Sequence, residues 1–193
     1  MGKIILVRHG QTQMNADRIY FGKLDPSLND LGKIQAQEAK KRLEQEIDCY
    51  DYIHASPLKR TKETAELINF LGKDIVFDQR LEEINFGIFE GLTYQEIVER
   101  YPKQYEKSVT DWRQYNYETG ESLEMLQKRV IGYIFSLDLK KNHLIVSHWG
   151  VICSFLSYVM SKNLESYWKF KIINGGLVIL EVKDNFPVLT KLI

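Results

Sequence analysis

Two stretches of the chain place a histidine directly after an aliphatic run: Leu6-Val7-Arg8-His9-Gly10-Gln11-Thr12 and Ile145-Val146-Ser147-His148-Trp149-Gly150. A histidine just past a buried strand, with glycine beside it, can expose its ring while the backbone approaches a ligand closely. Arg8 adds a fixed cation whose planar fork suits phosphate or carboxylate. Either histidine alone reads more readily as a hydrogen-bonded structural residue, but two at equivalent ends of one sheet point to a site. A third strand end, His54-Ala55-Ser56-Pro57, is followed by Arg60 early in the next helix. There the unpaired N–H groups and the dipole favour an anion. The plainer place for Arg60 is a solvated face shared with Lys59 and Lys62. Finally, in the stretch Leu81 to Leu92, Glu82 and Glu83 lie near Ile84, Phe86 and Gly87. Desolvation there favours the protonated carboxyl, the state a general acid needs; exposed loop glutamates are the competing reading.

The elements that must position these residues follow from periodicity. Ile4 to Val7 has the continuous aliphatic pattern of a strand buried on both faces. Leu28, Leu31, Ala36, Ala39 and Leu43 fall on one side of a helix. Asp51 to Ala55 reads as a strand, and Ser56-Pro57 as the N-cap and first residue of a helix. Its inner face would be Leu58, Thr61, Ala65 and Ile68. Ile75 to Phe77 is a third strand. Residues 81 to 120 are the least periodic part, holding short helices such as Tyr94 to Tyr101, and read as a lid or insertion. Helical period returns over Glu121 to Leu137, followed by a strand from His143 to Ser147 and a helix from about Val151. Strands Leu177 to Val182 and Val188 to Leu192 close the chain around Asp184-Asn185. Strands alternating with helices predict an α/β domain, a three-layer α/β/α sandwich with a mostly parallel sheet. Ligands in such folds sit beyond the carboxyl ends of the strands.

The 193 residues fit one domain, and the 44% hydrophobic content is that of a globular chain rather than a disordered one. Lys plus Arg and Asp plus Glu number 26 each, so there is no electrostatic footprint for nucleic acid. Cys49 and Cys153 lack metal-ligand spacing and read as free thiols in a reducing compartment. The N-terminal apolar run is too short for a signal-peptide core, and no stretch reaches the length of a membrane span. The expectation is a soluble, cytoplasmic protein with neither nucleic-acid nor membrane partners.

Taken in order, these residues resemble the signature of the histidine phosphatase superfamily, its phosphoglycerate mutase-like branch. The likeness rests on Leu6 to Thr12 with Asn15, on Ser56-Pro57-Leu58 with Arg60 and Thr61, and on Leu81 to Leu92. Gly120-Glu121-Ser122, Ser147-His148, Tyr20, Gly22, Asp25 and Gly32 match as well, so that it spans residues 3 to about 182. The resemblance implies that His9 is a nucleophile taking the phosphoryl group as phosphohistidine. It implies that Arg8, Arg60 and His148 hold the phosphate oxygens, with Gln11 and Asn15 bordering the pocket and Gly22 and Trp149 in the binding set. Glu83, four residues before Gly87, takes the place of the proton donor, and Glu82 is its rival if the register differs. No metal and no cofactor is expected, and the expected partner is a small phosphomonoester. Trp149 stands where the family usually has glycine or asparagine, and Cys153 where many relatives carry arginine. The compact length favours a phosphatase over the longer mutases. Tyr20 to Pro26, Asp111-Trp112 and Gly120 to Ser122 look most like the members that act on α-ribazole 5′-phosphate late in cobalamin assembly. The aromatic stretch Tyr94 to Tyr117 would then stack on the benzimidazole or serve as lid packing. A phosphoglycerate mutase, a broad-specificity phosphatase and a non-catalytic phosphate-binding module are the alternatives.

Overall fold

The computed structural model describes residues 2–193. In chain order the elements are β1 (Gly2–Arg8), α1 (Gln13–Ala16), α2 (Asp30–Glu46), β2 (Tyr52–Ala55), α3 (Lys59–Ile68), β3 (Ile75–Phe77), α4 (Tyr94–Arg100), α5 (Pro102–Thr110), α6 (Leu123–Ile134), β4 (Asn142–Ser147), α7 (Trp149–Ser161), β5 (Leu177–Lys183) and β6 (Phe186–Leu192). The sheet order is β3-β2-β4-β1-β5-β6. The first four strands run parallel, and β5 and β6 are antiparallel additions on one side.

The sheet is covered on both faces because β1 is apolar on both. Ile4 and Leu6 pack with α6, α7 and Ile145. Ile5 and Val7 turn the other way, onto Ala39 and Leu43 of α2 and Ala65 and Ile68 of α3. Period-two alternation carries the chain through a sandwich of three layers. A third, smaller apolar cluster of Phe89, Ile97 and Tyr115 belongs to the segment before α6. Residues 81 to 120 thus have packing of their own, while Leu81 and Ile84 enter the main core.

Several expected boundaries shift for local reasons. Leu31 is 48% exposed, and Gly32, Ala36, Ala39 and Leu43 form the buried face of α2. Asn29 caps that helix by accepting the Gly32 N–H, leaving Leu28 buried ahead of it. Helix α3 begins at Lys59, not at Ser56-Pro57, and has Leu58 as an N-cap without a side-chain bond. Ser56 is engaged elsewhere, as described below. α7 begins at Trp149, with His148 as its N-cap. Asp184 and Asn185 both take left-handed backbone, φ 52° and 60°, and join β5 to β6, a tight hairpin turn that suits Asp and Asn.

Register does the essential work for the site. Arg8 lies beside Ser147, and Ala55 beside Val146, on adjacent parallel strands. The residues that follow those strands, His9, Ser56 and His148, therefore emerge together at one edge of the sheet.

Candidate active site

His9 leaves β1 with its N–H donating to the Ser147 carbonyl at 3.0 Å. Its loop lies against α2 so closely that a side chain on Gly10 would overlap the Gly32 carbonyl, which is why glycine stands at both positions. The ring is 3% exposed. Its Nδ1 lies 2.7 Å from the Gly10 carbonyl, so Nδ1 carries the proton and the Nε2 lone pair is left over. Burial, with Arg60 and then Arg8 nearby, pushes its pKa well below the usual 6.5, so the ring is neutral.

Arg60 is fully buried in the first turn of α3. Its guanidinium donates to the Leu24 carbonyl at 2.8 Å and to the Gly22 carbonyl at 2.9 Å, and stands 4.8 Å from the centroid of the Phe21 ring. Burial lowers its pKa to about 10, opposed chiefly by Glu83, so it remains a cation at neutral pH. Its Nε–H donates to His148 Nδ1 at 3.3 Å. The other nitrogen of His148, Nε2, must then carry the ring's proton, and it lies 3.0 Å from Ser56 Oγ. His148 is therefore neutral, consistent with a pKa pushed well below 6.5 by burial, Arg60 and His9. Its ring stands edge-on to His9 at 5.1 Å. Both of its nitrogens face protein groups, and the fully buried residue stands behind Arg60 rather than in the cavity lining.

Arg8 donates to the Ile172 carbonyl at 2.6 Å, while its buried Nε has no partner. An unsatisfied guanidinium N–H in a low-dielectric site is a strong hydrogen-bond donor for an incoming anion. Asn15 closes a capping box with Thr12 through its carbonyl oxygen, which leaves its amide group for the cavity it lines.

Glu83 follows the turn Gln79–Leu81. That segment is fixed by Ser147 Oγ donating to the Leu81 carbonyl at 2.7 Å, and by Arg129, paired with Glu121, donating to the carbonyls of Arg80 and Glu83. The Glu83 carboxyl accepts from the N–H of Ile84 at 3.0 Å and of Gly150 at 3.1 Å. Burial nevertheless raises its pKa above the usual 4.5, against the pull of those two N–H groups, Arg60 and Arg8. Glu82 is turned away and pairs with Lys23, beside a surface groove with Arg80 and Arg129. Glu83, four residues before Gly87, and not its rival, thus lines the cavity that His9 lines.

Arg8, His9, Asn15, Arg60, Glu83 and Trp149 line one cavity of about 370 Å³. Besides His148, two residues expected at it, Gln11 and Gly22, do not line it. The Gln11 side-chain carbonyl accepts from Asn29 at 3.0 Å, tying the loop to α2. Gly22 is backbone support for Arg60, and any side chain there would overlap the Ile84 carbonyl. Trp149 points inward, its ring edge-on to Tyr167 at 5.2 Å. Cys153 is a buried core thiol whose pKa burial raises, and Cys49 is exposed; both are free. Sequence reasoning missed Arg18, which lines the cavity mouth in left-handed backbone at φ 55°, and nothing in its local pattern marks it.

Glu83, Tyr20, Phe86 and Trp149 also form part of the wall of a second cavity of about 420 Å³. Its other walls include Tyr105, Trp112, Tyr117, Tyr167 and Trp168, and Glu83 is the one acidic or basic side chain among them. Among the described residues no group of three His, Cys, Asp or Glu is arranged to hold a metal ion, and no helix is long and apolar enough to cross a membrane.

The model of the histidine phosphatase superfamily (branch 1) matches residues 4–193. Phosphoserine phosphatase 1 of Hydrogenobacter thermophilus is 30% identical over 198 residues, covering all of this chain and 92% of that protein. Among solved structures, the α-ribazole phosphatase of Shigella flexneri superposes with a TM-score of 0.90 at 27% identity, covering 98% of this chain and 95% of that one. A phosphoserine phosphatase of Entamoeba histolytica, solved in complex with phosphoserine, gives 0.86 at 28% identity over 100% and 96%.

Proposed function

The chain belongs to the histidine phosphatase superfamily, branch 1, and on that footing we propose that it hydrolyses α-ribazole 5′-phosphate through a phosphohistidine on His9. The observation that carries the chemistry is a neutral histidine whose Nδ1 proton is committed to the Gly10 carbonyl, in one cavity with two arginines and a carboxyl of raised pKa. Such a histidine presents Nε2 to phosphorus. In the first step the Nε2–P bond forms, the P–O bond to the leaving group breaks, and Glu83 gives its proton to the departing oxygen. In the second, water attacks phosphorus, Nε2–P breaks, and the water proton returns to Glu83. Arg8 and Arg60 supply the positive charge that a loose phosphoryl-transfer transition state requires. His148 holds Arg60 in place; a phosphate dianion beside the pair favours its protonated form, which would then add charge.

The choice of leaving group rests on the adjoining cavity. Its walls are aromatic and contain no cation, which suits a flat apolar ring better than the carboxylate and ammonium of a phosphorylated amino acid. The likeness to an α-ribazole phosphatase supports this reading, and a role in cobalamin assembly would go with that substrate. Phosphate release from α-ribazole 5′-phosphate, phosphoserine, 3-phosphoglycerate and p-nitrophenyl phosphate, with wild type and His9→Ala, tests both parts. A preference for the ribazole ester that vanishes in the variant is expected. Preference for phosphoserine would overturn the substrate, release unaffected by His9→Ala would overturn the mechanism, and transfer of phosphate to a second 3-phosphoglycerate site would mark a mutase.

A further inference from the structure

Tyr167 lies in the short helical turn Tyr167–Lys169 between α7 and β5. Its ring is 2% exposed and clamped edge-on by Trp149 at 5.2 Å and Trp168 at 4.8 Å. Among the described residues its hydroxyl makes no hydrogen bond to another protein group, yet the residue lines the aromatic cavity together with Glu83 and Gly150. The position of the hydroxyl is given by Gly150. A methyl group built on that glycine would meet Glu83 Oε1 first and Tyr167 Oη at 3.1 Å. The carboxyl and the phenol therefore approach each other beside residue 150, where only a glycine leaves room for the Glu83 carboxyl. With no protein partner, the hydroxyl is left to donate to a polar group that enters this cavity.

We propose that Tyr167 is a positioning residue for the second half of the reaction, donating a hydrogen bond to the water that Glu83 deprotonates. The assignment rests on the phosphohistidine reading above. A water that donates one hydrogen to the Glu83 carboxylate and accepts one from Tyr167 has a single lone pair left with which to attack, beside the carboxyl that also lines the His9 cavity. The oxygen–phosphorus bond forms, the Nε2–P bond breaks with its electron pair returning to His9, and the proton passes to Glu83. Burial and the charge of Glu83 hold the phenol far above its usual pKa of 10, so it stays a donor throughout. Glu83 alone serves the first half, in which no water takes part.

Tyr167→Phe keeps the ring and its packing and removes only the unpaired hydroxyl, so the unfolding midpoint is expected to stay put. With p-nitrophenyl phosphate, whose leaving group needs no proton, the variant should release one equivalent of nitrophenol per site in a fast burst. Turnover should then run about ten- to a hundredfold slower than wild type, the scale of losing one orienting contact. kcat and KM should fall together with kcat/KM unchanged, and acid-labile phosphate on His9 should accumulate. Labelled His9 that breaks down equally fast in both proteins overturns the role of Tyr167 alone, as does a fall in kcat/KM without a burst. Rapid-quench labelling that finds no phosphate on His9 in either protein overturns this assignment and the parent mechanism together.

Discussion

The proposed roles require His9 to be neutral and Glu83 to be protonated, and burial moves the two groups in the directions that allow both. His9 is pushed below 6.5 and Glu83 above 4.5. The acid limb of kcat/KM should therefore lie below 6.5, where His9 gains its proton, and the basic limb above 4.5, where Glu83 loses its own. A pH profile checks this directly. Glu83→Gln should abolish the basic limb and lower kcat/KM with an alkyl phosphate by about 10²–10⁴-fold, and far less with p-nitrophenyl phosphate. Arg18 stands exposed at the mouth with no ion-pair partner among the described residues. Arg18→Ala should raise KM about two- to fivefold at low salt, as expected of an exposed charge, with kcat unchanged and the difference fading as salt is added. At this scale residue types were legible in the sequence and side-chain directions were not. Arg8, His9, Arg60 and Glu83 follow from strand ends and motif spacing. That Gln11 would turn to Asn29 while Arg18 turned to the cavity depends on contacts made across the fold.

Between strands β2 and β4 and helix α6 runs a buried chain that the catalytic reading does not use. His143 Nε2 lies 2.9 Å from the Asp138 carbonyl, which can only accept, so His143 donates there. His54 Nε2 then donates to His143 Nδ1 at 3.0 Å, and the Tyr133 hydroxyl to His54 Nδ1 at 2.8 Å. Every proton in the chain has one place, and a further one on His54 Nδ1 has to turn the Tyr133 hydroxyl from donor to acceptor. Burial, with His143 beside it, lowers the pKa of His54 to about 4. Its unfolded value is near 6.5, so the unfolded chain binds a proton first as the solution is acidified. Stability should be full above pH 6.5 and fall between 6.5 and about 4. Urea titrations across that window check it, and His54→Leu should start less stable and show a flatter slope. Gly22→Ala should cost about 1–3 kcal/mol of stability by overpacking against Ile84, and raise the KM for phosphate esters because Arg60 loses its carbonyl anchor. Element types and order were readable from periodicity. Element starts were not, since Ser56, a good cap by composition, is taken by His148, and His148 itself became the cap of α7.

At the scale of the whole molecule, four parallel strands bring three strand ends to one edge, and the antiparallel β5 and β6 extend the sheet away from it. The alternation of strands and helices made that layering foreseeable, whereas the partition of the surface into two cavities depended on where α5 and the turn at Tyr167 come to rest. Positive charge at the site comes from arginines on two separate elements, so hydrolysis should proceed unchanged in EDTA, which a phosphate-release assay with and without the chelator checks. The partition has a pharmacological consequence. Glu83 and Trp149 form a common wall between a cavity suited to an oxyanion and one suited to aromatic groups, so vanadate and an indole-like fragment should bind at once rather than exclude each other. Double-inhibition kinetics would show intersecting lines. A tether short enough to cross that wall would turn two weak inhibitors into one whose affinity gains from their effective concentration.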